Sequence, residues 1–183
     1  FIVFSESKPN GERVTTIEAL YLELEEINKQ KFPSCLEGTY SVIANMFTPS
    51  SLKQGVECGA TQKTSGTFLS GSPSTKLENA LEGAWKVDEY WKASPHLLIS
   101  KIKLLVDKII TDAFETGGGR VSIKQIYDTL SLPPYGFMPC NLSAFILGFV
   151  LKEYATGSYS WSDGLTNDLL DINKLKEMVD EVI

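Results

Sequence analysis

The side chains most able to do chemistry in this chain are three cysteines, Cys35, Cys58 and Cys140, and one histidine, His96. A structural zinc site takes four such ligands, usually including a CxxC pair, and no pair has that spacing. The thiols are widely spaced and odd in number. They read as reduced cysteines of a cytoplasmic protein, not as a disulfide framework. His96 follows Pro95 at an expected helix start, with no serine, cysteine or carboxylate partner evident, so nothing points to a triad.

Phosphate chemistry needs a glycine-rich cradle that leads into a helix. Gly71-Ser72-Pro73-Ser74-Thr75-Lys76 carries glycine and lysine, but Pro73 and the missing second glycine spoil the cradle. Gly117-Gly118-Gly119-Arg120 follows a helical pattern and reads as a helix end, so it cannot aim a helix N-terminus at a phosphate. Asp88-Glu89-Tyr90-Trp91-Lys92 has the residue types of metal-dependent nucleases without the sheet and further acid they require. Glu25 and Glu26 are adjacent on a helix and point apart, unlike a carboxylate pair set across a cleft. The expectation is a protein that is not an enzyme, with no metal and no cofactor.

Composition bounds the remaining classes. The chain has 183 residues, 43% hydrophobic and 22% charged, enough apolar content to bury a core. Its formal charge of −6 supplies no global field toward nucleic acid or an anionic membrane. The richest apolar stretch, Leu142 to Leu151, is about half the length a bilayer span needs. The opening Phe1-Ile2-Val3-Phe4 lacks an initiator Met, a basic flank and a cleavage site, and is read as the start of a piece of a longer protein, not a signal peptide.

The elements that would position any site follow from periodicity. Phe1–Phe4 and Arg13–Thr16 read as two short strands around Asn10-Gly11, a pair that tolerates the positive φ of tight hairpins. Ile17, Leu20, Tyr21, Leu24 and Ile27 then recur at helical spacing, with Thr15 and Glu18 as a capping box, and the helix is expected to end near Lys31. Glu18, Glu23, Glu25 and Glu26 read as its solvated face. Further helices are expected around Leu36–Met46, over Ser51–Ala60, and from after Pro73-Ser74 through Leu77, Leu81 and Trp85, the second weakened by Gly55 and Gly59, each worth about 1 kcal/mol against alanine. Trp85, Tyr90 and Trp91 read as aromatic anchors between helices. Residues 66–74 form a loop candidate within the Ser, Thr and Gly-rich stretch 48–74.

Past Pro95 the pattern is sharper. Leu97, Leu98, Ile102, Leu105, Val106, Ile109, Ile110, Ala113 and Phe114 make one long helical stripe. Arg120-Val121 is expected as a short strand, and Ser122 with Gln125 caps a helix through Leu130 that Pro133-Pro134 stops. Cys140–Ala155 is apolar on nearly every side and so must be packed round most of its circumference. Tyr159, Trp161, Asp163-Gly164 and Leu165 switch to period two and predict a hairpin. Asp171 caps a last helix carrying Ile172, Leu175, Met178, Val179 and Val182. The fold class is thus mainly α: a helical region with an N-terminal hairpin over residues 1–94, then a winged helix-turn-helix domain over 95–183.

A DNA-reading winged helix offers Arg, Lys, Asn, Gln or Ser from its second motif helix. Here that helix offers Asn141 and Ser143 at its start and a cancelling Lys152 and Glu153. Residues 95–183 hold 8 Lys and Arg against 11 Asp and Glu, so duplex affinity should be weak at physiological salt. The favoured reading is docking to a protein, or to other domains of the same chain, through Tyr135, Phe137, Tyr159 and Trp161. The competing one is nucleic-acid binding, should Lys101, Lys103, Lys108, Arg120 and Lys124 converge.

The segment Leu132 to Tyr154, LPPYGFMPCNLSAFILGFVLKEY, resembles segments from the C-terminal parts of large bacterial multidomain P-loop ATPases found in phage-defence and DNA-modification gene islands. Its most specific motif is Pro133-Pro134-Tyr135-Gly136 followed by an apolar helix. The likeness covers these 23 residues and, more loosely, the winged-helix half. It implies a regulatory or docking module at the end of a large chain, with the nucleotide site upstream and no catalytic residue here. The two prolines fix φ and Gly136 permits a reversal, so a stiff turn is expected, projecting Tyr135 and Phe137 either onto neighbouring helices or toward a partner.

Overall fold

The computed structural model describes residues 2–3, 13–35, 49–60, 97–116 and 118–183. The expected helix at 36–46 and the one after Pro73-Ser74, Trp85, Tyr90, Trp91, His96 and the loop candidate at 66–74 lie outside them, as does the Asn10-Gly11 turn.

The protein is mainly helical. Strand β1 (Ile2–Val3) pairs antiparallel with β2 (Arg13–Val14), Ile2 opposite Val14. Helix α1 (Ile17–Lys31) starts one residue later than the capping box implied: Thr16, not Thr15, is the N-cap, its hydroxyl accepting from Ala19 N at 3.1 Å. Its apolar stripe is also split. Leu20 and Ile27 are half-buried, whereas Ile17, Tyr21 and Leu24 face solvent and Glu23, expected on the outer face, is buried. Helical spacing identifies a stripe but not which flank of it meets the neighbour.

Helix α2 (Pro49–Ala60) forms despite its two glycines. Helix α3 (Leu97–Thr116) turns its Ile99, Ile102, Val106 and Ile110 stripe into the core. After it Gly118 and Gly119 both take φ of 75°, a left-handed geometry that suits glycine and ends the helix. Arg120-Val121, expected as a strand, runs directly into the N-cap of α4 (Ile123–Ser131) and pairs with nothing among the described residues. The Ser122 hydroxyl accepts from Lys124 N.

Helix α5 (Asn141–Leu151) is shorter than the expected 140–155, because a 3-10 turn takes over at Lys152–Tyr154. Strands β3 (Ser160–Ser162) and β4 (Asn167–Leu169) form the expected hairpin, Trp161 opposite Asp168. The Asp163 carboxylate closes its turn by accepting from the backbone of Leu165 and Thr166 and from the Thr166 hydroxyl. Those bonds hold its pKa below the usual aspartate value. Asp171 caps α6 (Ile172–Val182), accepting from Lys174 N at 2.8 Å.

Every residue from Leu142 to Leu151 is buried. The wrapping around α5 comes from α2, α3 and α6, with α2 making the most extensive contact. The two backbones approach so closely that a Cβ on Gly148 would lie 2.9 Å from Val56 Cα, and one on Gly59 would lie 2.8 Å from Phe149 N. Only glycine permits that approach. Lys53–Asp180 at 3.2 Å and Lys176–Glu57 at 2.8 Å join α2 to α6. Val56 and Ala60 therefore belong to the same core cluster as the C-terminal helices. Among the described residues no helix is long and apolar enough to cross a membrane.

Candidate functional site

The turn between α4 and α5 is held from inside. Tyr135 N and Gly136 N donate to Leu132 O, and Phe137 N donates to Leu130 O at 2.9 Å. Tyr135 and Phe137 are half-buried against the core. From the far side, Ser34 N donates to Pro134 O at 3.0 Å, and the Phe32 ring lies over Gly136, whose φ is 65°. The turn is thus a clasp between the end of α1 and the α4–α5 pair, and its outward groups are Leu132, Pro133, Pro134, Met138 and Pro139.

Tyr159 and Trp161 sit on one face of the hairpin, since alternate residues of a strand point the same way. Trp161 is half-buried, with the Lys174 ammonium 3.8 Å from its ring centroid, close enough for a cation–π contact. Tyr159 is 38% exposed and meets Tyr154 and Phe114 edge to face, at 5.3 and 5.9 Å between centroids. Phe114 is itself 50% exposed, so the two rings form a small aromatic surface at the junction of α3 and the hairpin.

Beneath that surface lies a polar cluster that sequence reading did not assemble. Lys103 is buried, with its ammonium 2.6 Å from Asp107 and 3.1 Å from Glu153. The Tyr154 hydroxyl donates to Asp107 at 2.7 Å. Burial, then the hydrogen bond to Asp107 and that carboxylate's charge, push the Tyr154 phenol well above its ordinary range. Lys103 and Asp107 at i and i+4 were a visible signal; their meeting with Glu153 and Tyr154 was not, because it spans some fifty residues of sequence. Each charge in the cluster has an opposite within reach, which makes it a closed structural network.

The five cations proposed for nucleic-acid contact part company. Lys103 is spent in that network, and Lys124 pairs with Asp128 on its own helix at 2.9 Å. Lys101, Lys108 and Arg120 are exposed. Helix α5 is buried from Leu142 to Leu151 and offers no face to a groove.

Cys140 is buried with its sulfur 3.6 Å from Ser143 Oγ, and Cys35 is half-buried. No group of three or more His, Cys, Asp or Glu able to hold a metal occurs among the described residues. Comparison of the chain with protein-family models, with curated proteins and with solved structures finds no match.

Proposed function

We propose that this chain is a non-catalytic interaction or regulatory module of a larger cytoplasmic bacterial protein, docking through a winged-helix unit. The observation that carries the reading is the burial of α5 from Leu142 to Leu151, at the place in the element order where a DNA-reading helix would stand. A helix sealed by α2, α3 and α6 has no edge left for bases. The order of α3, α4, α5, hairpin and α6 supports the winged-helix assignment, with a two-stranded wing in place of three strands. The resemblance of Leu132–Tyr154 to the ends of P-loop ATPases of defence islands supports the larger context.

On this reading the docking surface moves from the turn toward the wing. Tyr135 and Phe137 brace helices, whereas Tyr159, with Phe114, stays accessible. Nucleic-acid binding is the runner-up, reduced to Lys101, Lys108 and Arg120 as exposed cations outside the ion pairs described above. A titration with a 20-base-pair duplex tests the choice. No measurable binding at about 50 mM salt is expected, and a steep fall of affinity with salt, relieved by Lys101→Ala and Lys108→Ala, would overturn the docking reading.

A further inference from the structure

The turn of the hairpin carries a residue pair with covalent chemistry of its own. An aspartate followed by glycine can close on itself: the Gly164 nitrogen attacks Asp163 Cγ, a C–N bond forms, and the C–O bond of the neutral carboxyl breaks, its hydroxyl leaving as water with the amide proton. Water then opens the five-membered imide. Opening on the main-chain side leaves isoaspartate, opening on the side-chain side returns aspartate, and no co-reactant beyond water is consumed. Glycine favours the attack because it has no side chain to obstruct the approach. At Gly164, whose φ is 93°, a Cβ would meet nothing within 4 Å, and Leu165 beyond it is 94% exposed. The sequence holds one other pair of this kind, Asn10-Gly11, outside the described residues.

The closure needs a neutral carboxyl, a free amide and freedom for the two to meet. Each need is opposed by a bond in the turn. Asp163 Oδ1 accepts from Thr166 N at 2.7 Å and from Leu165 N at 2.8 Å, and Oδ2 accepts from the Thr166 hydroxyl at 3.0 Å. Those donors favour the charged form, which has no hydroxyl to lose, and they tie the carboxylate to the backbone two and three residues ahead. The Gly164 N–H is engaged as well, donating to the Ser162 hydroxyl at 3.1 Å.

We propose that Asp163-Gly164 is a site of isoaspartate formation whose rate is set by opening of the hairpin turn, with Ser162 and Thr166 holding it closed. The product carries an extra methylene in the main chain and no longer presents the side-chain carboxylate to Leu165 and Thr166. It thereby loses the turn that sets Ser162 opposite Asn167. The proposal is independent of what the hairpin docks to.

The test ages the intact chain at neutral pH, folded and in guanidinium chloride, and maps the peptide around residue 163, whose isoaspartyl form has the same mass and a different retention. The Asn10-Gly11 peptide is read separately. Conversion is expected to be at least about tenfold slower in the folded chain, since only the opened turn reacts. Ser162→Ala frees the Gly164 N–H and Thr166→Val removes one donor to the carboxylate; each should speed conversion about fivefold, the equivalent of one hydrogen bond. Amide spectra of Trp161 and Asp168 report whether the hairpin stays formed, and a variant that opens it outright should age at the denatured rate. Equal rates in the folded and denatured parent, or no isoaspartate in either, would overturn the proposal. Variants that keep the hairpin and age at the parent's rate would overturn the part given to Ser162 and Thr166.

Discussion

Gly59 and Phe145 are in backbone contact: a methyl group on the glycine would fall inside the van der Waals radius of the Phe145 carbonyl oxygen. Gly148 stands in the same relation to the Val56 carbonyl, so the α2–α5 crossing is bounded on both sides by a missing Cβ. Because the obstacle is main chain in each case, no side-chain rotation relieves it. Gly59→Ala and Gly148→Ala are each expected to destabilise the fold by about 3 kcal/mol, toward the upper end for overpacking. Urea unfolding followed by far-UV circular dichroism measures the shift in midpoint. An alanine at either site that leaves the midpoint unchanged would show that the helices do not pack this closely.

The Lys103 cluster should respond asymmetrically to truncation. Tyr154→Phe removes one hydrogen bond to a carboxylate and is expected to cost about 1 kcal/mol. Asp107→Ala strands a buried ammonium and should cost about 3 kcal/mol, even with part of the charge still met by Glu153. Lys103→Met, which removes that ammonium, should restore part of the loss in the Asp107→Ala background. Thermal unfolding of the double-mutant cycle reads the coupling, and strict additivity would rule the network out.

Alkaline pH should loosen the fold through its phenols. Burial pushes the Tyr127 hydroxyl up to about 12, and Tyr154 is raised as well. The unfolded chain releases these protons near pH 10 while the folded chain keeps them, so stability falls as pH rises from 10 toward 12. For Tyr127 alone the slope is about 1.4 kcal/mol per pH unit at most. Lys152 acts oppositely: burial lowers its pKa, and losing its proton relieves the folded state as pH climbs toward the ordinary lysine value. Stability measured against pH in Tyr127→Phe should show a shallower alkaline limb than the parent.

Gly136 is a second place where a side chain has no room. Its φ is 65°, and a Cβ there would meet the Phe32 ring at 2.7 Å. Gly136→Ala is expected to cost about 2 kcal/mol and to release the end of α1 from the turn. Adding Phe32→Ala should recover the steric part of that cost and leave the strain of the positive φ. Limited proteolysis around residues 31–35 would report the release.

Several elements were legible because their signals are local. Ser122 and Asp171 announced helix starts, the period-two run through Tyr159 and Trp161 announced a hairpin, and the all-round apolarity of Cys140–Ala155 required burial, which the structure realises from Leu142 to Leu151. The failures have two causes. Thr15 was preferred to Thr16 through a one-residue error in local register, whereas Arg120-Val121 was read as a strand and the α1 stripe was turned inward because packing outside the local pattern decided both outcomes. Strand propensity at Val121 has no effect without a strand to pair with, and Ile17, Tyr21 and Leu24 remain at the surface because the inward position went to Glu23.

Sequence alone determined that this chain is mainly helical, where four of its helices begin or break, and that its most apolar helix would be enclosed. Those outcomes depend on caps, glycines, prolines and periodicity within a few residues. Tertiary structure decided which element does the enclosing: α2, whose two glycines count against a helix in isolation, is the only described helix to meet α5 through missing side chains on both partners. It also decided that Lys103 is buried and paired to Asp107 and Glu153 while Lys101 stays in water. Close approach and ion pairing depend on distances between segments far apart in the chain, and such distances exist only once the helices have packed.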